Sequence, residues 1–389
     1  MVSVILPVYL LAIGYSALQI GAIVTATLLG SAAVTLATGL LAHRSRARGI
    51  LLAACLMMVL TGLGFFAVTA FVPLLIVAFL GTLNPTAGDV SLFLPIEQSL
   101  LASTVTPADR TALYARYNLF AAACGALGAL ASATPVWLAH ISGWAAADAM
   151  KMGFVVYSLV AGVVAVIYLR IDRDTDPGRT APVPRLPLQR SRRIVLHLAG
   201  LFTLDSFGGG FVAQSLLALW LFKRFDFSLA TAAPFFFATT LLAGLSQLAS
   251  PHIAARIGLV RTMAYTHIPA NLFLMLAALM PNATLAVAML LARMMLSSMD
   301  VPARQALVMA VVPPEERAAA ASVTNVPRSL GTGLAPLLAG WLLAHSSFGW
   351  PLLIGGALKI LYDLLLLAQF RRRHIEDDVA GKRPVAAAK

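Results

Sequence analysis

The chain has 389 residues, of which 60% are hydrophobic and only 11% charged, with a formal net charge of +12. Ordinary soluble domains carry about 25% charged residues, and a water-soluble chain of this size could not hide so much apolar surface. The class excluded is the soluble globular protein. The basic excess lies in short stretches between apolar runs of about 20 residues, the length that crosses a hydrocarbon core of roughly 30 Å, so it orients a membrane protein rather than binding nucleic acid.

Taken in order, Val2 to Gly14 is apolar but too short to cross a bilayer unaided, and it lacks the basic region of a cleavable signal. Aligning Ser16 with Ser228 and Arg44 with Arg256 leaves the segment before Ala213 without a partner in the first half. The expectation is a chain that begins partway through its first helix. Leu18 to Leu41 and Gly49 to Ala70 read as the second and third spans, separated by Arg44, Arg46 and Arg48. Leu74 to Ala102 reads as a fourth span broken at Asn84-Pro85 and again at Pro95-Ile96-Glu97-Gln98. Proline removes a backbone hydrogen bond, and carboxylates at membrane depth are costly enough that Asp89 and Glu97 are expected to face a wet interior. Capped structural acids remain the alternative for both.

The fifth span is expected from Leu113 to Ala139, with small Gly125 and Gly128 suited to close packing. The sixth runs from Gly153 to Leu169. Residues 170 to 193 are polar and arginine-rich, a cytoplasmic linker. The seventh span, Ile194 to Phe222, carries Asp205, then Gly208-Gly209-Gly210, then Gln214. Each glycine costs on the order of 1 kcal/mol against alanine in a helix interior, which predicts a bend or unwinding beside the acid. Leu229 to Ile253 and Thr262 to Met280 follow, the latter faintly polar at His267, Pro269 and Asn271. The histidine reads more simply as a satisfied packing residue than as a proton relay. Leu285 to Val312, the tenth span, puts Arg293, Asp300 and Arg304 at separations of seven and four, one face of a continuous helix. Val323 to Ala344 and Trp350 to Phe370 complete the set. Lys359 and Asp363, at i and i+4, read as a structural ion pair, and tryptophans 137, 144, 220, 341 and 350 as an interfacial belt.

The chain also repeats itself. Pro95, Gln98, Leu100, Pro107, Arg110 and Asn118 recur as Pro302, Gln305, Leu307, Pro314, Arg317 and Asn325, all at one offset. The loop Gly39-Leu40-Leu41-Ala42-His43-Arg44-Ser45-Arg46 resembles the G-x-L-A-D-R-x-G-R-R signature of the major facilitator superfamily, matching at Gly39, Leu41, Ala42 and Arg44. Arg256 and Gly258 form a weaker echo in the second half. His43 stands where the family has an aspartate that helps lock the two halves on the cytoplasmic side. The resemblance implies an all-α polytopic protein of six plus six helices, with bundles at 1–169 and 194–370, a linker at 170–193 and a polar tail at 371–389. It assigns the cavity chiefly to the first, fourth, seventh and tenth helices. The residues singled out by burial cost, Asp89, Glu97, Gln98, Asp205, Gln214, Arg293, Asp300 and Arg304, fall on three of those.

The function expected is secondary active transport of a small solute by alternating access, coupled to protons through Asp89 or Asp205 and directed outward, as in superfamily members with comparable motifs. A transporter-shaped sensor or a facilitative uniporter is the alternative. No nucleotide-binding loop, catalytic elbow or histidine set with metal spacing occurs in the sequence, so neither an enzyme nor a cofactor is expected. The expected setting is the plasma (inner) membrane, multi-pass, with both ends cytoplasmic and the protein monomeric.

Overall fold

The computed structural model describes residues 1–41, 47–83, 93, 97, 110–170, 191–312 and 317–370. Among these the regular structure is helical throughout, without a strand. In order the helices are α1 (Val2–Ala12), α2 (Ala17–Leu41), α3 (Ala47–Ala67), α4 (Phe71–Leu80), α5 (Arg110–Leu130), α6 (Thr134–Ser142), α7 (Ala146–Tyr168) and α8 (Arg192–Gly210). They continue as α9 (Gln214–Phe225), α10 (Leu229–Ile257), α11 (Leu259–Leu279), α12 (Ala283–Met294), α13 (Asp300–Val311), α14 (Arg317–His345) and α15 (Trp350–Phe370). Helices satisfy their own backbone hydrogen bonds, which is why apolar chain adopts them in lipid. Eight spans among the described residues are long and apolar enough to cross a membrane. Their outward faces are correspondingly greasy: on α7, Leu159, Val163 and Val166 recur at helical spacing and all are more than half exposed.

Within the described residues the expected fifth, seventh and tenth spans are interrupted, the first two at proline or glycine. Between α5 and α6 the chain tightens into a short 3-10 turn at Ala131–Ala133, and Pro135 then occupies the first turn of α6, where its missing N–H costs least. Between α8 and α9 the helix stops at Gly210 and resumes at Gln214, directly after the three glycines. Between α12 and α13 the chain turns over residues 295–299. This last break corrects the reading of a continuous tenth span: Arg293 is on α12, whereas Asp300 and Arg304 are on α13.

The chain divides into two compact units, Met1–Val183 with Gly210–Thr240 and Thr332–Pro351, and Pro184–Gly209 with Leu241–Gly331 and Leu352–Lys389. In the first unit α3 packs along α7, α2 along α4, and α1 against both α7 and α9. A close crossing joins α2 and the latter part of α14. A Cβ on Gly21 would stand 2.5 Å from the Pro336 carbonyl oxygen and 2.9 Å from Gly340 Cα, so only glycine permits the approach. In the second unit Val195, Leu198 and Phe202 of α8, Val260 and Met263 of α11, Ala303 and Leu307 of α13, and Tyr362 and Leu366 of α15 form one buried core.

The tryptophan belt needs one correction. Trp137, Trp144, Trp341 and Trp350 are exposed as an interfacial position requires, but Trp220 is fully buried and packs edge-on against Phe225. A large ring next to a helix break fills core volume as readily as it marks an interface.

Candidate functional site

The second unit encloses a cluster of ionisable side chains, and its centre is Asp205 on α8, only 4% exposed. Lys359 Nζ donates to Asp205 Oδ1 at 2.6 Å, and Arg304 Nη1 donates to Oδ2 at 3.2 Å. The same Arg304 nitrogen lies 3.2 Å from Asp300 Oδ2 one turn back along α13, the i, i+4 pairing that the sequence spacing allows. Each carboxylate therefore meets a cation, the condition under which charges survive away from water. Arg304 also lies over the Phe202 ring at 5.8 Å, an attraction that strengthens when water is excluded.

Glycine makes the Lys359 contact possible. A Cβ on Gly208 would come within 3.0 Å of Lys359 Cγ, and one on Gly209 within 3.5 Å of its Cε. The glycine run thus clears a lane along α8 for the lysine stem to reach Asp205. The helix ends immediately beyond it.

His267 on α11 extends the network. Its Nδ1 lies 3.1 and 3.0 Å from the two carboxylate oxygens of Asp363, which is wholly buried, and its Nε2 lies 3.9 Å from Asp205 Oδ1. Where Asp363 is ionised it can only accept, and Nδ1–H is then the donor of this hydrogen bond. The second ring nitrogen then faces Asp205. Asn271 Nδ2 donates to the His267 carbonyl at 2.9 Å. The Tyr362 ring stands edge-on to His267 at 6.2 Å, and its buried hydroxyl has no hydrogen-bond partner among the described residues.

These contacts overturn the expected Lys359–Asp363 ion pair. Although the two share a face of α15, Lys359 reaches across to Asp205 and Asp363 takes the histidine. A tertiary partner of opposite charge prevails over a helical neighbour because it satisfies two buried groups on separate elements. His267, expected as a satisfied packing residue, is satisfied by the Asp363 carboxylate. The available signal was cost: His267, Lys359 and Asp363 are all ionisable groups inside apolar spans.

Two arginines border the cluster differently. Arg328 Nε donates to Ser206 Oγ at 3.1 Å, beside Asp205. Arg293, at the end of α12, interacts with the Asp205 charge, but among the described residues its only hydrogen-bond contact is from Nη1 to the Met294 sulfur at 3.3 Å. Its Nε is buried with no partner among those residues.

The other expected residues lie elsewhere. Glu97 is in the first unit, partly buried, with the hydroxyls of Tyr117 and Tyr168 each donating to one of its carboxylate oxygens. Phe93 stacks on the Tyr168 ring at 6.2 Å. Removing one hydroxyl donor to a charged acceptor typically costs about 1.5–3 kcal/mol. Tyr168→Phe should accordingly lower the thermal midpoint in detergent, and an unchanged midpoint would show that Glu97 does not depend on this clasp. Gln214, the first residue of α9, belongs to the first unit and has a buried Oε1 without a hydrogen-bond partner among the described residues. Gly39 lies in the last turn of α2, Arg256 is exposed in the last turn of α10, and Gly258, with φ of 88°, makes the turn into α11. Asp89, Gln98 and Arg44 lie outside the described residues.

A chain of apolar helices broken at glycine and proline, with paired charges inside one unit, has the construction of a polytopic transporter. The family model described as Major Facilitator Superfamily matches residues 1–299 and 272–388. The chain belongs to this superfamily, and it is a multi-pass membrane transporter rather than an enzyme. It is similar, at 27% identity over 400 residues, to the uncharacterized membrane protein YJR124C of Saccharomyces cerevisiae, covering 94% of this chain and 89% of that protein. Its fold is similar to a mutant form of the nucleoside transporter NupG, with a TM-score of 0.72, 11% identity and 95% of each chain covered. It is also similar to the xylose transporter XylE from E. coli in an inward open conformation, with a TM-score of 0.72, 12% identity and coverage of 94% and 91%. A third likeness is to a bacterial homolog of the human lysosomal transporter Spinster, inward-facing and occupied, with a TM-score of 0.71, 16% identity and coverage of 95% and 92%.

Proposed function

We propose that the protein is a proton-coupled secondary transporter that moves a small solute outward across the plasma membrane by alternating access, with both chain ends cytoplasmic. Its halves would be residues 1–169 and 194–370. The observation that carries this reading is the buried network in which Asp205 is held by Lys359 and Arg304 while His267 bridges toward Asp205 from Asp363. Such a network is costly as scaffolding, since apolar residues of similar size would pack at lower cost. As a set of exchangeable partners it supplies what coupling requires: charges whose pairing changes with protonation.

The coupling proton is better assigned to the His267 and Asp363 couple than to Asp205. Asp205 sits between two cations, so both of its oxygens are already taken. His267 is faced by Asp205 from α8 and by Tyr362 and Asp363 from α15, and Asp205 in turn holds Arg304 of α13 and Lys359 of α15. A proton added at Nε2 creates an imidazolium between two carboxylates. It would compete with Lys359 for Asp205 Oδ1 and loosen the bond that ties α15 to α8.

Proteoliposomes loaded with labelled solutes test the reading directly. Solute movement that follows an imposed pH gradient supports it. Movement indifferent to the gradient removes the proton and leaves a uniporter, and no movement under any gradient favours the sensor.

A further inference from the structure

We infer that the transported solute carries an anionic group, a carboxylate, phosphate or sulfonate, which is bound by Arg293. This inference rests on the transport reading above and names the solute's chemical class. It starts from the cations of the second unit and what each of them meets. Among the described residues the network contains three carboxylates, Asp205, Asp300 and Asp363, and four cations, Arg304, Lys359, Arg328 and Arg293. A buried donor left without an acceptor is unfavourable unless a ligand answers it.

Among these cations Arg293 is the one that reaches no oxygen acceptor in the described residues. Arg304 touches two carboxylates, Lys359 touches one, and Arg328 donates to Ser206. Arg293 reaches only a thioether sulfur, a weak acceptor, and its buried Nε donates to nothing among the described residues. A guanidinium presents donors in a planar fork that fits the two oxygens of a carboxylate or phosphoryl group. Its position matters as well. Arg293 ends α12 just before the turn at residues 295–299, so movement of that turn would carry the fork relative to Asp300 and Arg304 on α13.

The bound anion occupies donors that are otherwise unused.

The test uses proteoliposomes of the full chain loaded with a defined mixture of small monocarboxylates, dicarboxylates, sugar phosphates and sulfonates, together with neutral sugars, amides and amines. Efflux is read for every compound by mass spectrometry under an imposed pH gradient. The expected result is that the compounds that move are anions. Arg293→Gln should lower their flux roughly 10- to 100-fold, the loss of a charged hydrogen bond, while Arg293→Lys keeps an intermediate flux because it keeps the charge without the fork. Size-exclusion profiles of both variants establish that they fold. Should Arg293→Gln not fold, Arg293→Lys carries the test, with flux equal to wild type overturning the assignment. Movement of neutral or cationic compounds would overturn the anion while leaving transport standing. No movement of any compound counts against transport itself.

Discussion

Replacement of Asp205 by alanine is expected to be the most damaging single change in the protein. The carboxylate accepts from Lys359 at 2.6 Å and from Arg304 at 3.2 Å, and both cations are at most 8% exposed. Without Asp205, Lys359 has no carboxylate within ion-pair distance among the described residues, and Arg304 keeps only Asp300. Breaking a buried pair by removing one partner costs about 3–5 kcal/mol. Thermal unfolding in detergent should show a markedly lowered midpoint for Asp205→Ala. Asp205→Asn keeps the shape and loses the charge, so it should fold better and transport poorly. Adding Lys359→Gln to Asp205→Asn removes the stranded cation and should recover stability beyond the sum of the single effects. A midpoint for Asp205→Ala within a degree of wild type would show that the ion pairs do not hold the second unit together.

The second large effect is expected at the crossing of α2 and α14. A Cβ on Gly340 would lie 2.6 Å from the Ala17 carbonyl oxygen and 2.8 Å from Gly21 Cα, both backbone atoms that cannot swing aside. Overpacking of this kind costs typically 1–3 kcal/mol, and every 1.4 kcal/mol is tenfold in an equilibrium. If alternating access requires this contact to form and part, Gly340→Leu shifts the population toward the parted state by roughly ten- to a hundredfold and slows turnover accordingly. Spin labels on α2 and α14 should report a longer distance in Gly340→Leu than in wild type. Unchanged distance together with unchanged flux would remove this crossing from the transport cycle.

These outcomes depend on features that differ in how plainly the sequence carries them. Membrane class follows from span length and the scarcity of charge, because a bilayer admits few other solutions. The break after Gly210 is local backbone chemistry and is visible in three letters. The Asp300 and Arg304 pair is likewise local, one helical turn apart. What depends on the approach of separate helices was not visible. Lys359 and Asp363 looked like partners because helical spacing reports neighbours on one element and nothing about α8 or α11 across the way. Arg293 looked aligned with Asp300 because seven residues make two turns only when the helix is unbroken, and the turn at 295–299 contains no proline or glycine to announce it. Trp220 illustrates the same limit, since an aromatic near a helix end is compatible with both an interface and a core.

Uphill transport and solute exchange separate the network's proposed role from mere scaffolding. Once the flux assay has identified a moving solute, both can be measured in the same proteoliposomes for His267→Gln and Asp363→Asn. The account predicts that accumulation driven by a pH gradient is lost in both variants while exchange of labelled for unlabelled solute at equal pH persists. Accumulation at the wild-type level in both, or equal loss of accumulation and exchange, would contradict it.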